Sequence, residues 1–420
     1  MAVRRLAAVD AQTYWMSSKI PSDAFLLYGF TTVPDDLDGA IDAVRGRASR
    51  CAELRLRIRD GGALTYPAWV SGPIAADRFA VHTLDDTSWA ACLAFVCGLA
   101  DDQLDPRVAP WRVHIFTPVD GVPTTATPGA VVVVQMAHAL ADGVRSAALA
   151  ARLFGRAVDI EPVTTPRLHG ATLPWRSIVA ARTHRMLVSD TEAGVVPAQA
   201  PSRPALRSNA RPAGARSVRT LTRRRDRLSA PTVTVSVLCA VATALSDHLR
   251  ALGEDPTTLG AEVPMAKTTA REANNHFGNV GVGLYPDLDV DERTARITAE
   301  LADRRRRARH PAMRAEGRAF AAVPAPLLRW GVAQFDPTLR SPVVTGNTVV
   351  SSVDRGAADL TFGGADVVMT AGYPALSPMM GLTHGVHGIG DTVAVSVHAA
   401  ESAIGDVDEY LDRLDAALPG

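Results

Sequence analysis

The sequence predicts an α/β protein of the α+β sandwich kind, divided into two domains of similar build. Three observations lead there. At 420 residues the chain is longer than one hydrophobic core usually serves. Strand-like and helix-like stretches interleave in both halves, the pattern that lays helices over sheets. Between the halves, residues 195–216 lose any apolar period and fill with Pro, Ala, Ser and Arg, as a linker or crossover does. The expected division is therefore 1–194 for an N-terminal domain, 195–216 for the linker and 217–420 for a C-terminal domain.

In the first half, AFLLYGF (24–30) is apolar and aromatic and reads as a strand. DLDGAIDAVRGRASR (36–50) places its apolar residues near helical spacing, whereas ELRLRIRD (53–60) alternates with the period of a half-buried strand. WRVHIFTPV (111–119) and AVVVVQMAH (130–138) are further strands. DGVRSAALAARLFG (142–155) opens on Asp-Gly and closes on a glycine, which marks a helix. In the second half, PTVTVSVLCAVATALSDHLRALG (231–253) begins with polar/apolar alternation and passes into a helical pattern. LGAEVPMA (259–266) and GNVGVGLYPDL (278–288) are strand candidates, and ERTARITAELADRRRRARHPAM (292–313) is a helix with a basic end. Strands return in NTVVSSVDR, ADVVMTAGYPA and DTVAVSVHAA, before a closing amphipathic helix, DVDEYLDRLDAAL.

Charge and composition exclude several classes. Basic and acidic residues number 44 each, so the chain lacks the basic excess of a nucleic-acid-binding surface. Four cysteines, Cys51, Cys92, Cys97 and Cys239, are too few for a disulfide framework in a chain this long and have no histidines at zinc-ligand spacing. No stretch offers the roughly 20 apolar residues of a membrane span. The N-terminus, MAVRRLAAVDAQTYW, lacks the apolar core of a signal peptide. A soluble, cytoplasmic protein is expected, with room for contact at a membrane or lipid-droplet surface. The run Arg223–Arg225 reads as a solvated arm. AAVPAPLLRWGVAQF (321–335) reads first as core packing and second as a lining for an acyl chain or a lipid contact.

The chemistry points to His138. A valine-rich strand ends on this histidine, and four residues later Asp142 and Gly143 open a helix. A strand end fixes the backbone while leaving the ring free to face a cleft. An imidazole with an unperturbed pKa of about 6.5 takes up and returns a proton near neutral pH. Asp142, a short acid just before a helix, is suited to accept backbone N–H bonds or to pair with an arginine, and Gly143 to a tight turn or close packing. His384 and His387, in GLTHGVHGIG, are spaced like a metal pair, but the glycine-rich setting favours a turn, and no third ligand is near. His114 reads as a strand residue facing the core or a neighbour. No metal site is expected.

These segments resemble, in order, those of the bacterial wax ester synthase/diacylglycerol acyltransferase family, within the superfamily of CoA-dependent acyltransferases and condensation domains. That family carries H-H-x-x-x-D-G after a valine-rich strand. Here Ala137 stands at the first histidine, and His138, Asp142 and Gly143 match the rest. Asp23, Ala24 and Phe25 resemble the family's opening Asp-Ala-x-Phe stretch, and Trp111 its Pro-Leu-Trp segment. Asn275, Gly278 and Asn279 match an Asn-x-x-Gly-Asn segment that also encloses His276. Ser351 matches the first position of Ser-Asn-x-Pro, with Ser352 at the Asn and Asp354 at the Pro. The departures mark a divergent member.

The resemblance implies two chloramphenicol-acetyltransferase-like domains with the active site in the cleft between them. It implies transfer of an acyl group from acyl-CoA, a co-substrate, to a lipid-like alcohol such as a long-chain alcohol or diacylglycerol, without a cofactor. His138 would be the general base, Asp142 and Gly143 would shape its turn, and Asn279 and Ser351 are candidates for the cleft or the oxyanion. His276 and Asn275 form a second tier. No serine or cysteine nucleophile is required, and G-x-S-x-G is absent. Two readings stay beside it. One is a condensation-like enzyme with a carrier-protein donor or a sugar or polyketide acceptor, for which Arg304–Arg307 would be a docking patch. The other is a non-catalytic binding protein of the same fold.

Overall fold

A computed structural model describes residues 4–164, 170–228 and 231–419. The main elements, in chain order, begin with α1 (Ala8–Met16), β1 (Ala24–Phe30), α2 (Leu37–Arg50), β2 (Phe79–His82), α3 (Trp89–Gly98), β3 (Trp111–Val119), β4 (Gly129–Met136), α4 (Gly143–Leu153) and α5 (Leu173–Glu192). There follow β5 (Arg216–Arg224), α6 (Val233–Ala251), β6 (Gly260–Ala266), β7 (Phe277–Gly283), α7 (Val290–Ala308), α8 (Pro311–Ala321) and α9 (Ala325–Gln334). The chain closes with β8 (Thr348–Asp354), β9 (Thr361–Phe362), β10 (Ala365–Gly372), β11 (Leu382–Ile389), β12 (Thr392–Ala400) and α10 (Val407–Ala417).

Two six-stranded mixed sheets carry the fold. The first runs β9-β10-β1-β4-β3-β2 and the second β7-β6-β8-β11-β12-β5. Residues 361–372, which composition assigns to the C-terminal domain, cross over: β10 pairs antiparallel with β1 and extends the N-terminal sheet. The crossing follows from packing. Met369 and Ala371 of β10 join Phe25, Leu27, Val131, Val133, Val218 and Ala394 in one buried cluster between the sheets. The four valines of β4 divide by alternation. Val132 and Val134 face the core under α2 and α4, while Val131 and Val133 face the interdomain cluster. Burial on both faces explains the unbroken apolar run.

Several segments differ from expectation for local reasons. The alternating start of PTVTVSVLC is the first turn of α6, because Thr232 caps it by accepting from Val235 N–H, and the whole apolar side then packs on the second sheet. By length and composition α6 could cross a membrane, contrary to the sequence reading. In this fold 67% of its apolar window is buried. GLTHGVHGIG is no turn but the central strand β11, and its histidines lie on opposite faces, as residues three apart in a strand must. His384 is tied to the Thr348 and Tyr410 hydroxyls, and burial pushes its pKa down to about 3. Gly385 lets the backbones of β10 and β11 meet, since a side chain there would collide with the Gly372 carbonyl.

The basic runs are paired in part, with Arg305 and Arg306 exposed. Arg223 and Arg224 end the edge strand β5, and Arg223, Arg224 and Arg225 pair with Asp415, Asp226 and Asp354. Arg304 is buried against Glu300 and the carbonyls of Gly281 and Ala198, and Arg307 bonds the Pro197 carbonyl. The expected linker holds a short strand, Arg203–Pro204, paired with Val343–Val344, and the buried Asn209. In α9, Leu328 and Val332 face inward while Leu327 and Trp330 are exposed.

Candidate active site

β4 delivers the chain to a turn clamped from several sides. Ala137 N–H donates to the Pro110 carbonyl at 2.9 Å, and Leu140 N–H closes the turn on the Ala137 carbonyl at 2.8 Å. Ala139, Leu140 and Ala141 are buried in the core beneath α4. His138 is the only residue from 131 to 142 that is not fully buried. Its ring stacks on Phe277 of β7, with centroids 5.7 Å apart, so a ring from the N-terminal sheet rests on a side chain of the C-terminal one. The His138 Nδ1 is buried without a hydrogen-bond partner, so packing, and not a side-chain bond to that nitrogen, holds it.

Asp142 caps α4, and its carboxylate joins two domains. Oδ1 accepts from Arg145 N–H at 2.9 Å. Oδ2 accepts from His276 N–H at 2.9 Å and from Arg271 Nη1 at 2.8 Å. Both side chains of the Asp142–Arg271 pair are 5% exposed, and Arg271 reaches on to Glu161 at 3.2 Å. Gly143 lies against β8, where a Cβ would stand 3.1 Å from Val353 Cγ2.

Asn275 belongs to the clamp. Its Nδ2 donates to the His138 carbonyl at 2.9 Å, and Asn274 Nδ2 donates to the Ala139 carbonyl at 3.3 Å. Beneath both sits Asp10 of α1, which accepts from the N–H groups of Asn274 and Asn275 at 2.9 Å and from Asn275 Nδ2 at 3.1 Å. Burial pushes the Asp10 pKa up to about 6, with the Asn274 and Asn275 bonds working against it. His276 is tied into its own loop. Its Nε2 faces the Thr269 carbonyl at 2.8 Å and therefore carries a proton there.

The structure thus brings His138, Asp142, Gly143, Asn275 and His276 together. Ser351 is half-buried on β8, two residues from Val353 and so on the same face, toward α4. Ser352 faces the other way, to the Thr234 hydroxyl at 3.0 Å. Asn279 is exposed, and its amide is engaged by Glu262 across the β6–β7 hairpin. Sequence reasoning missed Asp10, Arg271, Asn274 and Phe277. Asn274 and Phe277 lie beside flagged residues, whereas Asp10 gives no signal in a short amphipathic helix. Among the described residues no group of three His, Cys, Asp or Glu side chains could hold a metal.

Residues 273–419 match the WS/DGAT C-terminal domain family. No curated protein sequence matches the chain at a significant level. Among solved structures, the wax ester synthase/diacylglycerol acyltransferase from Marinobacter aquaeolei VT8 superposes with a TM-score of 0.65 at 20% identity, covering 99% of this chain and 98% of that one. A variant of the starter condensation domain of rhizomide synthetase RzmA, in complex with C8-CoA and Leu-SNAC, gives 0.59 at 13% identity over 99% and 93% of the chains. A second structure of that domain, with C8-CoA alone, gives 0.58 at 13% identity over 99% and 94%. The chain thus resembles the wax ester synthase/diacylglycerol acyltransferase family twice over, in the sequence of its last third and in the fold of its whole length.

Proposed function

We propose that the protein is an O-acyltransferase that moves an acyl group from an acyl-CoA thioester to a lipid-like alcohol, with His138 as general base. The placement of His138 carries the reading: the one partly open residue of a buried strand end, stacked against the facing domain in a turn fixed on every side. In this reading the hydroxyl gives its proton to the imidazole as its oxygen attacks the thioester carbonyl. The new C–O bond forms, the C–S bond breaks, and the imidazolium returns the proton to the departing CoA sulfur. Ser351, on the β8 face toward α4, is the candidate side-chain donor to the developing oxyanion. Asn279, held by Glu262, is the weaker candidate.

The name of the Marinobacter relative supports an alcohol or diacylglycerol acceptor, and C8-CoA in the condensation-domain structures supports a CoA thioester donor. The test is free-thiol release from octanoyl-CoA and palmitoyl-CoA, with and without hexadecanol or a diacylglycerol, in the native protein and in His138→Ala. Acceptor-dependent release that falls at least about 100-fold in the variant is expected. Release that survives the substitution, or no release with any pair, overturns the reading.

A further inference from the structure

Of the chain's six tryptophans, four are buried or half-buried, while Trp175 of α5 and Trp330 of α9 are exposed, at 63% and 61%. α5 touches the body along one side only. Of its 20 residues just Leu187 is buried, packed with Val196, Ala312 and Met313. His184 pairs with Glu316 at 3.2 Å and Asp190 with His310, the cap of α8, at 3.1 Å, so α5 and α8 run antiparallel. The start of α5 therefore meets the start of α9, where a Cβ on Gly170 would stand 3.1 Å from Pro324 Cγ.

The outward sides of these helices are both apolar and basic. Steps of three, four and four place Trp175, Ile178, Arg182 and Met186 on one side of α5, all exposed, with the exposed Arg185 beside them. In α9, Leu327 and Trp330 share the outward side, three residues apart, and Arg329 is exposed as well. α5, α8 and α9 together carry six arginines and three acids, in a chain whose charges balance overall. Two of those acids are the partners of His184 and His310, and the third, Glu192, ends α5 at the far end from Trp175. Among the described residues no carboxylate pairs with Arg182, Arg185, Arg314, Arg318 or Arg329. Antiparallel packing sets Arg182 of α5 level with Arg318 of α8. Large apolar side chains left in water beside unpaired cations mark a surface that meets something.

We propose that this face docks on an anionic phospholipid membrane, with Trp175 and Trp330 entering the interface and the unpaired arginines meeting the lipid phosphates. Indole rings rest at headgroup depth, and a helix that sets apolar side chains beside arginines lies in the plane of such a surface. A second copy of the chain fits less well, because a twofold contact through this face sets arginines against arginines. The face is one helix removed from the site. α9 packs on α1, whose Asp10 holds the loop that clamps the His138 turn. That the membrane also supplies the acyl acceptor rests on the acyltransferase reading. Docking does not, and it is measured with neither donor nor acceptor present.

The experiment is co-sedimentation of the native protein with vesicles of phosphatidylcholine alone and of phosphatidylcholine mixed with an equal part of phosphatidylglycerol. The anionic vesicles should bind at least about tenfold more tightly, and about 1 M NaCl, which shortens the screening length to about 3 Å, should release the protein. Trp175→Ser/Trp330→Ser and Arg182→Gln/Arg318→Gln should each weaken binding at least about tenfold. All four side chains are exposed, so circular dichroism should show both variants folded. His138→Ala should bind as the native protein does, which keeps docking separate from a failed acyltransferase assay. No binding to either vesicle, which leaves an acidic protein as the occupant, overturns the proposal. Equal binding to both vesicles, binding that survives either double variant, or a dimer in light scattering that Trp175→Ser/Trp330→Ser disperses overturns it too.

Discussion

One carboxylate, that of Asp142, caps a helix, holds a loop of the opposite domain and neutralises a buried arginine. Removing it leaves Arg271 buried beside only the largely exposed Glu161. Asp142→Ala should therefore cost about 3–5 kcal/mol in urea unfolding. Asp142→Asn keeps a cap oxygen and should lose less. Asp10 and Asp23 set a pH dependence, since burial carries both to about 6 from 3.8. A folded chain holding protons that the unfolded chain has released is favoured at low pH. The contribution of these two groups is thus complete below about pH 4 and is withdrawn as pH rises to about 6, on the order of 2–3 kcal/mol each. The double variant Asp10→Asn/Asp23→Asn should show a smaller fall in urea midpoint between pH 4.5 and 7 than the native protein, and an unchanged fall would refute the assignment. His138, Asp142 and Gly143 were legible from their spacing after a valine strand. Asp10 was not, because the loop it holds lies more than 260 residues away and only folding brings the two together.

At the scale of elements, α4 meets β8 through the absence of a side chain. A Cβ on Gly143 stands 3.1 Å from Val353 Cγ2, so Gly143→Ala should move the α4–β8 contact by a few tenths of an ångström and lower activity. Val353→Ala in the same chain should restore it, and a double variant no better than the single would count against this contact as the cause. Gly143→Val should add about 1–3 kcal/mol of destabilisation in the same unfolding assay. Glycine also misled the reading of β11. GLTHGVHGIG looked like a turn, but Gly385 is required because two strands of different sheets meet backbone to backbone there. Strand periodicity identified most of the sheet, whereas the run at 365–372 holds nothing to say which sheet it joins.

For the whole molecule, the crossing β10 and the buried cluster between the sheets tie the halves together. Unfolding should follow one transition by fluorescence and circular dichroism, and a fragment of residues 1–216, lacking β9 and β10, should not stay soluble. A soluble, protease-resistant fragment would show that the N-terminal sheet folds without its crossing strand. The crossing also has a consequence for synthesis. β1, with its run AFLLYGF, leaves the ribosome some 340 residues before β10, the strand that covers its edge. At about 5–20 residues per second the nascent chain carries that edge open for tens of seconds, long enough to make chaperone capture, or its failure, decide the yield of this protein in a cell.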